Sequence, residues 1–292
     1  MRVLITGGEG QLAADLRAAL AGHQIEAPGR AELDITDIGL LTRSIESFKP
    51  EIVVNTAAYH DVDRCETEPE QAFLVNAAAP QRLAALCKRV DAKLVHFSTD
   101  YVFDGTSSTP YAESDLANPV NVYGTSKLAG EQAVRCTYAN HLIVRTTGLY
   151  GWKGTGRERG NFPETMIRLG QERGVVTVVS DQVLTPSFTV DVAGVTRKLI
   201  ELNATGTVHV TNGGSCSWFE FAREVFRLQD LPARLEPIEQ KQRASAARRP
   251  AHSVLAHRAL ERLGIEEPRP WRDALAAYMA GRKSPVGGEF PT

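Results

Sequence analysis

The chain opens with RVLIT (2–6), runs straight into glycines, and continues as QLAADLRAALA (11–21). A short β-branched apolar run ended by glycine reads as a buried strand, and the apolar spacing near 3.6 that follows reads as a helix. The same succession then repeats. IEAPGR (25–30) is a weak second strand, and IGLLTRSIESF (38–48) is a helix with Asp37 as its N-cap. EIVVNTAA (51–58) is a clear strand, and 68–90 is helical in two parts with the break near Pro80. KLVHFST (93–99) is a strand, and HLIVRT (141–146) is another, after the helix that contains Lys127. Strand and helix in regular alternation predict a Rossmann-type doubly wound α/β fold, a parallel sheet covered on both faces with right-handed crossovers. Ligand sites in such a sheet lie at the carboxyl ends of the strands.

From about 148 the alternation loosens. GWKGTGRERGNF (151–162) is a Gly- and Arg-rich loop whose Arg157 and Arg159 either grip a diphosphate or stand in solvent. A helix over 162–174, a strand over 175–180 and a helix over 190–202 follow. A strand over 206–212 and a helix over 217–228, N-capped by Ser217, come next. The expected division is an NAD(P)-binding domain over 1–147 and, over 148–283, mainly a smaller α/β substrate-binding lobe. About 175–205 is expected to return to the main sheet, and 284–292, rich in Gly and Pro, reads as a loose tail.

Composition narrows the function classes. A net charge of −2 supplies no field that would draw the chain to nucleic acid or an anionic membrane. Nothing approaches the apolar length of a membrane span, and the N-terminal apolar run is too short for a signal peptide. Cys65, Cys87, Cys136 and Cys216 are scattered without C-x-x-C pairing, which argues against a disulfide framework or zinc site and fits a reducing cytoplasm.

TGGEGQLA (6–13) joins the first strand to the first helix. Gly7 and Gly10 permit backbone approaches that a Cβ would block. The helix behind them points its free N–H groups and positive dipole end at the turn, which suits a pyrophosphate. A plain tight turn is the competing reading; the position between first strand and first helix favours a dinucleotide. The second strand ends in Ala27-Pro28-Gly29-Arg30 without the acid that favours NAD. Arg30 faces either the 2′-phosphate of NADP or only solvent, and Asp34 either caps a helix or meets the adenine end. NADPH is the expected cofactor, with NADH possible.

NVYGTSKLAGE (121–131) holds Tyr123 and Lys127 one helical turn apart. It follows HFSTDYVFDG (96–105), which puts Ser98 and Thr99 at a strand's carboxyl end. Reducing a carbonyl with hydride leaves an alkoxide that needs a proton. A phenol near pKa 10 is a slow partner at neutral pH, and a neighbouring ammonium lowers that pKa. A threonine hydroxyl aimed at the carbonyl oxygen polarises it.

TGGEGQLA, VVNTAAYHDVDRCE, FSTDYVFDG and PVNVYGTSKLAGE together resemble the extended short-chain dehydrogenase/reductase family, and within it the dTDP-4-dehydrorhamnose reductases. The resemblance continues through RTTGLYG, VSDQVLTPSFTVDVA, SWFEFA and ARRPAHSVL to about residue 280. It implies Tyr123 as general acid, Lys127 as its tuner and ribose ligand, and Thr99 as carbonyl partner. It implies cofactor contacts at Gly10, Gln11 and Leu12, and at Ala57, Ala58, Tyr59 and His60 in the loop after the third strand. Asp100, Phe103, Gly148 and Asn161 fall where the substrate is expected. The implied reaction is reduction of the C4 keto group of a nucleotide-linked 4-keto-6-deoxy sugar, dTDP-4-dehydro-L-rhamnose to dTDP-L-rhamnose, and a homodimer is one assembly the resemblance allows.

The chain departs from that family in places. Gly148 stands where the family often has Trp, which removes an aromatic platform. His60 replaces a common Thr, with Asp61 beside it. A magnesium site of some relatives has one acid at Asp15 but Val190 where another belongs, so no metal is expected. A competing reading is a non-catalytic NADP-binding regulatory subunit resembling the β subunit of methionine adenosyltransferase. An epimerase or dehydratase ranks behind both, because STDYVF lacks the Glu that a 4,6-dehydratase wants after Thr-Asp.

Overall fold

The computed structural model describes residues 1–152 and 160–282, so Arg157, Arg159 and the tail over 284–292 lie outside the described residues. The first half runs β1 (Arg2–Thr6), α1 (Gln11–Ala19), β2 (Gln24–Glu26), α2 (Ile38–Phe48), β3 (Ile52–Asn55), α3 (Val62–Thr67) and α4 (Pro69–Phe73). A π-helical turn (Leu74–Ala78) leads into α5 (Ala79–Val90), β4 (Lys93–Thr99), a 3-10 turn (Asp100–Val102), α6 (Val122–Thr137) and β5 (His141–Thr146). Then come β6 (Leu149–Tyr150), α7 (Phe162–Glu172), β7 (Val175–Val179), β8 (Val183–Leu184), β9 (Ser187–Phe188), α8 (Thr189–Glu201) and β10 (Gly206–His209). The chain closes with β11 (Cys216–Ser217), α9 (Trp218–Gln229), β12 (Arg234–Ile238), α10 (Arg258–Arg262) and α11 (Trp271–Gly281).

Six strands form one parallel sheet in the order β10-β5-β4-β3-β1-β2. Alternate residues of β1 serve opposite faces. Val3 and Ile5 pack with Leu12, Leu16, Val192 and Leu199 from α1 and α8. Leu4 packs with Leu41, Ile45, Leu83 and Val134 from α2, α5 and α6. Burial on both sides explains why these strands read as unbroken apolar runs. A separate core around Tyr150, Phe188, Phe221, Trp271 and Tyr278 holds the smaller lobe, which includes α7, α9 and α11. No described helix is long and apolar enough to cross a membrane.

Four details depart from the sequence reading. β2 stops at Glu26 and β3 at Asn55, each short of the run read from the sequence. The helical stretch 68–90 is divided by the π turn at 74–78, and Pro80 follows it in the first turn of α5. Asp61 caps an additional helix, α3, through the Arg64 N–H. Within 175–205, α8 lies against α1, but β7 pairs in parallel with β12 outside the main sheet. Exposed Val175 and Thr177 alternate with buried Val176 and Val178, a pattern for a strand with one wet face. The strand that joins the main sheet beside β5 is β10.

Candidate active site

At the carboxyl end of β1 the chain turns through Gly7, which has φ +73°. A Cβ there would stand 2.9 Å from the Ala57 nitrogen. Only glycine therefore lets the turn lie against the end of β3. Gly10 is the N-cap of α1, with no side-chain cap and no acid in the first turn. The first N–H groups of α1 thus face outward as an anion site. Gly10, Gln11 and Leu12 line one end of a cavity of about 560 Å³.

The middle of that cavity is built by α6. Asn121 caps the helix by accepting from the Gly124 N–H at 2.7 Å, and its amide donates to the Arg248 carbonyl at 2.8 Å. A Cβ on Gly124 would stand 2.1 Å from the Tyr101 carbonyl oxygen, so the first turn of α6 presses directly on the 3-10 turn after β4. This contact brings Tyr123 to Thr99. Glu131, one turn beyond Lys127, makes a buried bidentate pair with Arg145 of β5 at 2.8 and 2.7 Å. The face carrying Tyr123, Lys127 and Glu131 is thereby locked to the sheet.

The electrostatics differ from the sequence expectation. Burial of the Tyr123 hydroxyl raises its pKa, with the neighbouring Thr99 hydroxyl pulling it down and Asp100 adding to the rise. Lys127 is buried, and its ammonium donates to the Phe97 carbonyl oxygen at 2.6 Å. Burial lowers its pKa to about 8, partly countered by Glu131. The ammonium is thus engaged with β4, and desolvation rather than the lysine governs the phenol.

Thr99 Oγ1 donates to Asp100 Oδ1 at 2.9 Å, and Tyr123 stands beside this pair in the cavity. Asp100 is 2% exposed, and its Oδ2 has no hydrogen-bond partner by strict geometry among the described residues. Burial pushes its pKa up to about 6, tempered by the Ser253, Thr147 and Thr99 hydroxyls.

Of the residues expected from sequence, Gly10, Gln11, Leu12, Ala58, His60, Thr99, Asp100, Tyr123, Lys127 and Gly148 all line this cavity. Others do not. Gly7 and Ala57 lie beneath the turn, and Ala57 packs into the apolar layer under α2 and α5. The Tyr59 hydroxyl donates to Glu68 while its ring joins the same layer. Arg30 is an exposed ion pair with Asp34 at 3.3 Å; its neighbour Gly29 packs on Glu9 at the cavity rim, so the pair stands just beyond the rim. Phe103 is fully buried and stacks on Tyr111 at 4.3 Å. Its place as a substrate contact is corrected: alternation at the end of the 3-10 turn sends it into a core. Asn161 is likewise a buried cap of α7, giving its amide to Gly151, Gln11 and Tyr278. It braces the cavity wall from behind.

Several lining residues escaped the sequence reading: Gln182 and Leu184 from the lobe, Ser253, and Trp218 at the start of α9. SWFEFA was legible as a capped helix; that its first tryptophan faces the cavity was not. Trp218 leans on Phe162 at 4.5 Å and restores an aromatic wall to a site where Gly148 has none. Gly148 itself has φ +56°, and a Cβ there would meet Leu184 at 2.9 Å.

A family model described as the RmlD substrate binding domain matches residues 1–283. The chain belongs to the RmlD family. It is 41% identical to the dTDP-4-keto-6-deoxy-D-glucose reductase of Streptomyces niveus, over 94% of this chain and 95% of that one. It is 39% identical to the spore coat polysaccharide biosynthesis protein SpsK of Bacillus subtilis, over 97% and 98%. Among solved structures, the dTDP-4-dehydrorhamnose reductase of Bacillus anthracis in complex with NADP matches with a TM-score of 0.92 at 37% identity, over 96% and 99% of the two chains. A UDP-glucose 4-epimerase of Thermotoga maritima shares the fold of this RmlD-family chain, with a TM-score of 0.82 at 16% identity.

Proposed function

We propose that this RmlD-family chain is an NADPH-dependent reductase, able to use NADH, that converts dTDP-4-dehydro-L-rhamnose to dTDP-L-rhamnose by reducing its C4 keto group. The single observation that carries the reading is that Tyr123 and the hydrogen-bonded Thr99–Asp100 pair line one cavity that begins at the N-terminus of α1. The names of its RmlD-family relatives supply the sugar and the nucleotide. Residues 1–147 would carry the cofactor and most of 148–283 the sugar nucleotide, in a cytoplasmic setting that suits four free cysteines.

The residues fit the cofactor. The uncapped first turn of α1 is shaped for a pyrophosphate, and the backbone at Gly7 is held away from it by the fit against Ala57. NADPH, when bound, supplies the hydride for C4. Tyr123 keeps its proton at neutral pH because its pKa is raised, and it gives that proton to the oxygen as the carbonyl becomes an alcohol. Hydride on carbon and proton on oxygen complete the reduction. When Asp100 is neutral it can donate to Thr99, which frees the Thr99 hydroxyl to point at the substrate oxygen. Lys127 remains largely an ammonium at pH 7 and has two further N–H donors for ribose hydroxyls. Trp218 offers its face to the nucleotide end.

The test follows NADPH absorbance with dTDP-4-keto-6-deoxy sugars. Turnover is expected, with Tyr123→Phe lowering kcat by about 10² or more. No turnover with any nucleotide-linked keto sugar, or an unchanged rate in Tyr123→Phe, would overturn the reading.

A further inference from the structure

Residues 243–256 run from the lobe back to α10 without a helix or strand of their own. They form a strap laced to both sides of the cavity. On the lobe side, the Val183 N–H of β8 donates to the Ala251 carbonyl at 2.8 Å, and the Ser253 N–H donates back to the Val183 carbonyl at 2.9 Å. Pro250 and Ser253 of this strap line the cavity. On the other side the strap is held by α3.

Asp63 of α3 supplies the grip. Its Oδ1 accepts from the Ser245 hydroxyl at 2.6 Å and from the Ala247 N–H at 3.1 Å, and its Oδ2 accepts from Arg249 Nη2 at 3.0 Å. Arg249 Nη1 also donates to Ser245 Oγ. One carboxylate thus gathers donors from three residues of irregular backbone, and the guanidinium fork gives the bond direction. The Arg249 side chain is 10% exposed, so it is no solvated surface ion. Partial burial alone would raise the Asp63 pKa; the Ser245, Arg249 and Ala247 donors outweigh it and hold the carboxyl down to about 2. The pair therefore stays charged at neutral pH.

The same helix reaches Tyr123. Glu66, on the same face of α3 as Asp63, accepts from the Val122 N–H at 2.8 Å, in the first turn of α6. The Arg249 guanidinium lies beside the Tyr101 hydroxyl. The Tyr101 ring lines the cavity and stands edge-on to the Tyr123 ring at 5.8 Å. Through its two acids α3 thus fixes both the strap and the turn that carries Tyr123.

We propose that Arg249, held by Asp63, is a positioning residue that seats the strap at 245–253 against α3 and so sets the wall of Pro250, Ser253 and Tyr101 relative to Tyr123. The inference rests on the reductase reading above. The competing role for an arginine here is to hold the substrate's diphosphate directly. The geometry favours the strap, because the guanidinium is committed to Asp63 and Ser245 and is not among the described residues that line the cavity.

The experiment uses the full chain and reads kcat and KM for the dTDP-keto sugar, NADPH dissociation by fluorescence, and thermal midpoint. Asp63→Asn keeps an oxygen for Ser245 and Ala247 and loses the charge; Arg249→Met removes the fork. Each is expected to lower kcat/KM at least about tenfold while NADPH dissociation stays within about twofold of the parent. The double variant should fall no more than about twofold below the weaker single, because both residues act through one contact. Should Arg249→Met prove too unstable to assay, Arg249→Lys decides. A loss of about fivefold or more in kcat/KM supports the strap, since an ammonium lacks the fork that spans Asp63 and Ser245, and a parental value overturns it. Losses that multiply in the double variant would make Arg249 an independent ligand of the substrate and overturn the inference. Variants that shift only the thermal midpoint would overturn it as well. Failure of the parent protein to turn over any nucleotide-linked keto sugar would instead overturn the reductase reading.

Discussion

Asp100 concentrates the pH behaviour of the site in one carboxyl. Its folded-state pKa is raised from 3.8 to about 6 by burial, so between those values the folded protein holds the proton while the unfolded chain releases it. Stability from this group therefore falls as pH rises from about 4 to about 6, and the full penalty stands above 6. Asp100→Asn should raise the unfolding free energy at pH 8, by at most about 3 kcal/mol, and the difference should vanish near pH 4. The same variant should lower kcat and remove an inflection near pH 6 from its pH profile. A midpoint that is lower at pH 8 would show that the ionised carboxylate is stabilised instead. Gly148 illustrates a different constraint. Its φ of +56° lies in the left-handed region, so Gly148→Ala should cost about 1–2 kcal/mol in urea unfolding, and a tryptophan cannot simply be restored there. The departure at this position follows from the backbone path between β5 and β6.

At the level of elements, α6 does most to place the site. Its apolar contacts would allow it to slide along the sheet, but the Glu131–Arg145 pair, with Arg135 adding a third contact at 3.0 Å, fixes its register. Breaking such a pair leaves a buried charge without compensation. Glu131→Ala is expected to lose about 3–5 kcal/mol of stability by denaturant unfolding. Glu131→Gln should recover part of it, because the amide oxygen still accepts from the guanidinium. Glu131 also raises the Lys127 pKa, so the neutral variant should titrate Lys127 at lower pH. The Asp37-capped helix, the strand at 93–99 and the strand at 141–146 were readable from local pattern, since caps and apolar runs are local signals. The π turn at 74–78 was not. Its Asn76 bonds to Tyr59 and Ser126, 17 and 50 residues away, and such partners leave no local signal.

For the molecule as a whole, the cavity belongs to two cores. The main sheet supplies Gly10, Thr99, Tyr123 and Lys127, and the lobe supplies Gln182, Leu184 and Trp218. Ligands that engage only one side should act separately. NADPH at one hundred times its dissociation constant should stabilise the protein by about 2.7 kcal/mol, and dTDP should add its own shift. Trp218→Ala should abolish the dTDP shift in a thermal melt while preserving the NADPH shift. Loss of both shifts together would mean that the tryptophan holds the lobe in place rather than the nucleotide.

By itself the sequence determined the alternation of strands and helices, the glycine turn before α1, and the Tyr123, Lys127 and Thr99 set, because each depends on spacing along a few residues. Tertiary structure alone decided which neighbours those residues meet. It sent Phe103 and Asn161 into cores, turned Trp218 toward the cavity, gave Lys127 to the Phe97 carbonyl and tied Thr99 to Asp100. Such pairings depend on burial and on contacts between distant segments, and burial also reverses the expected direction of the tyrosine's pKa.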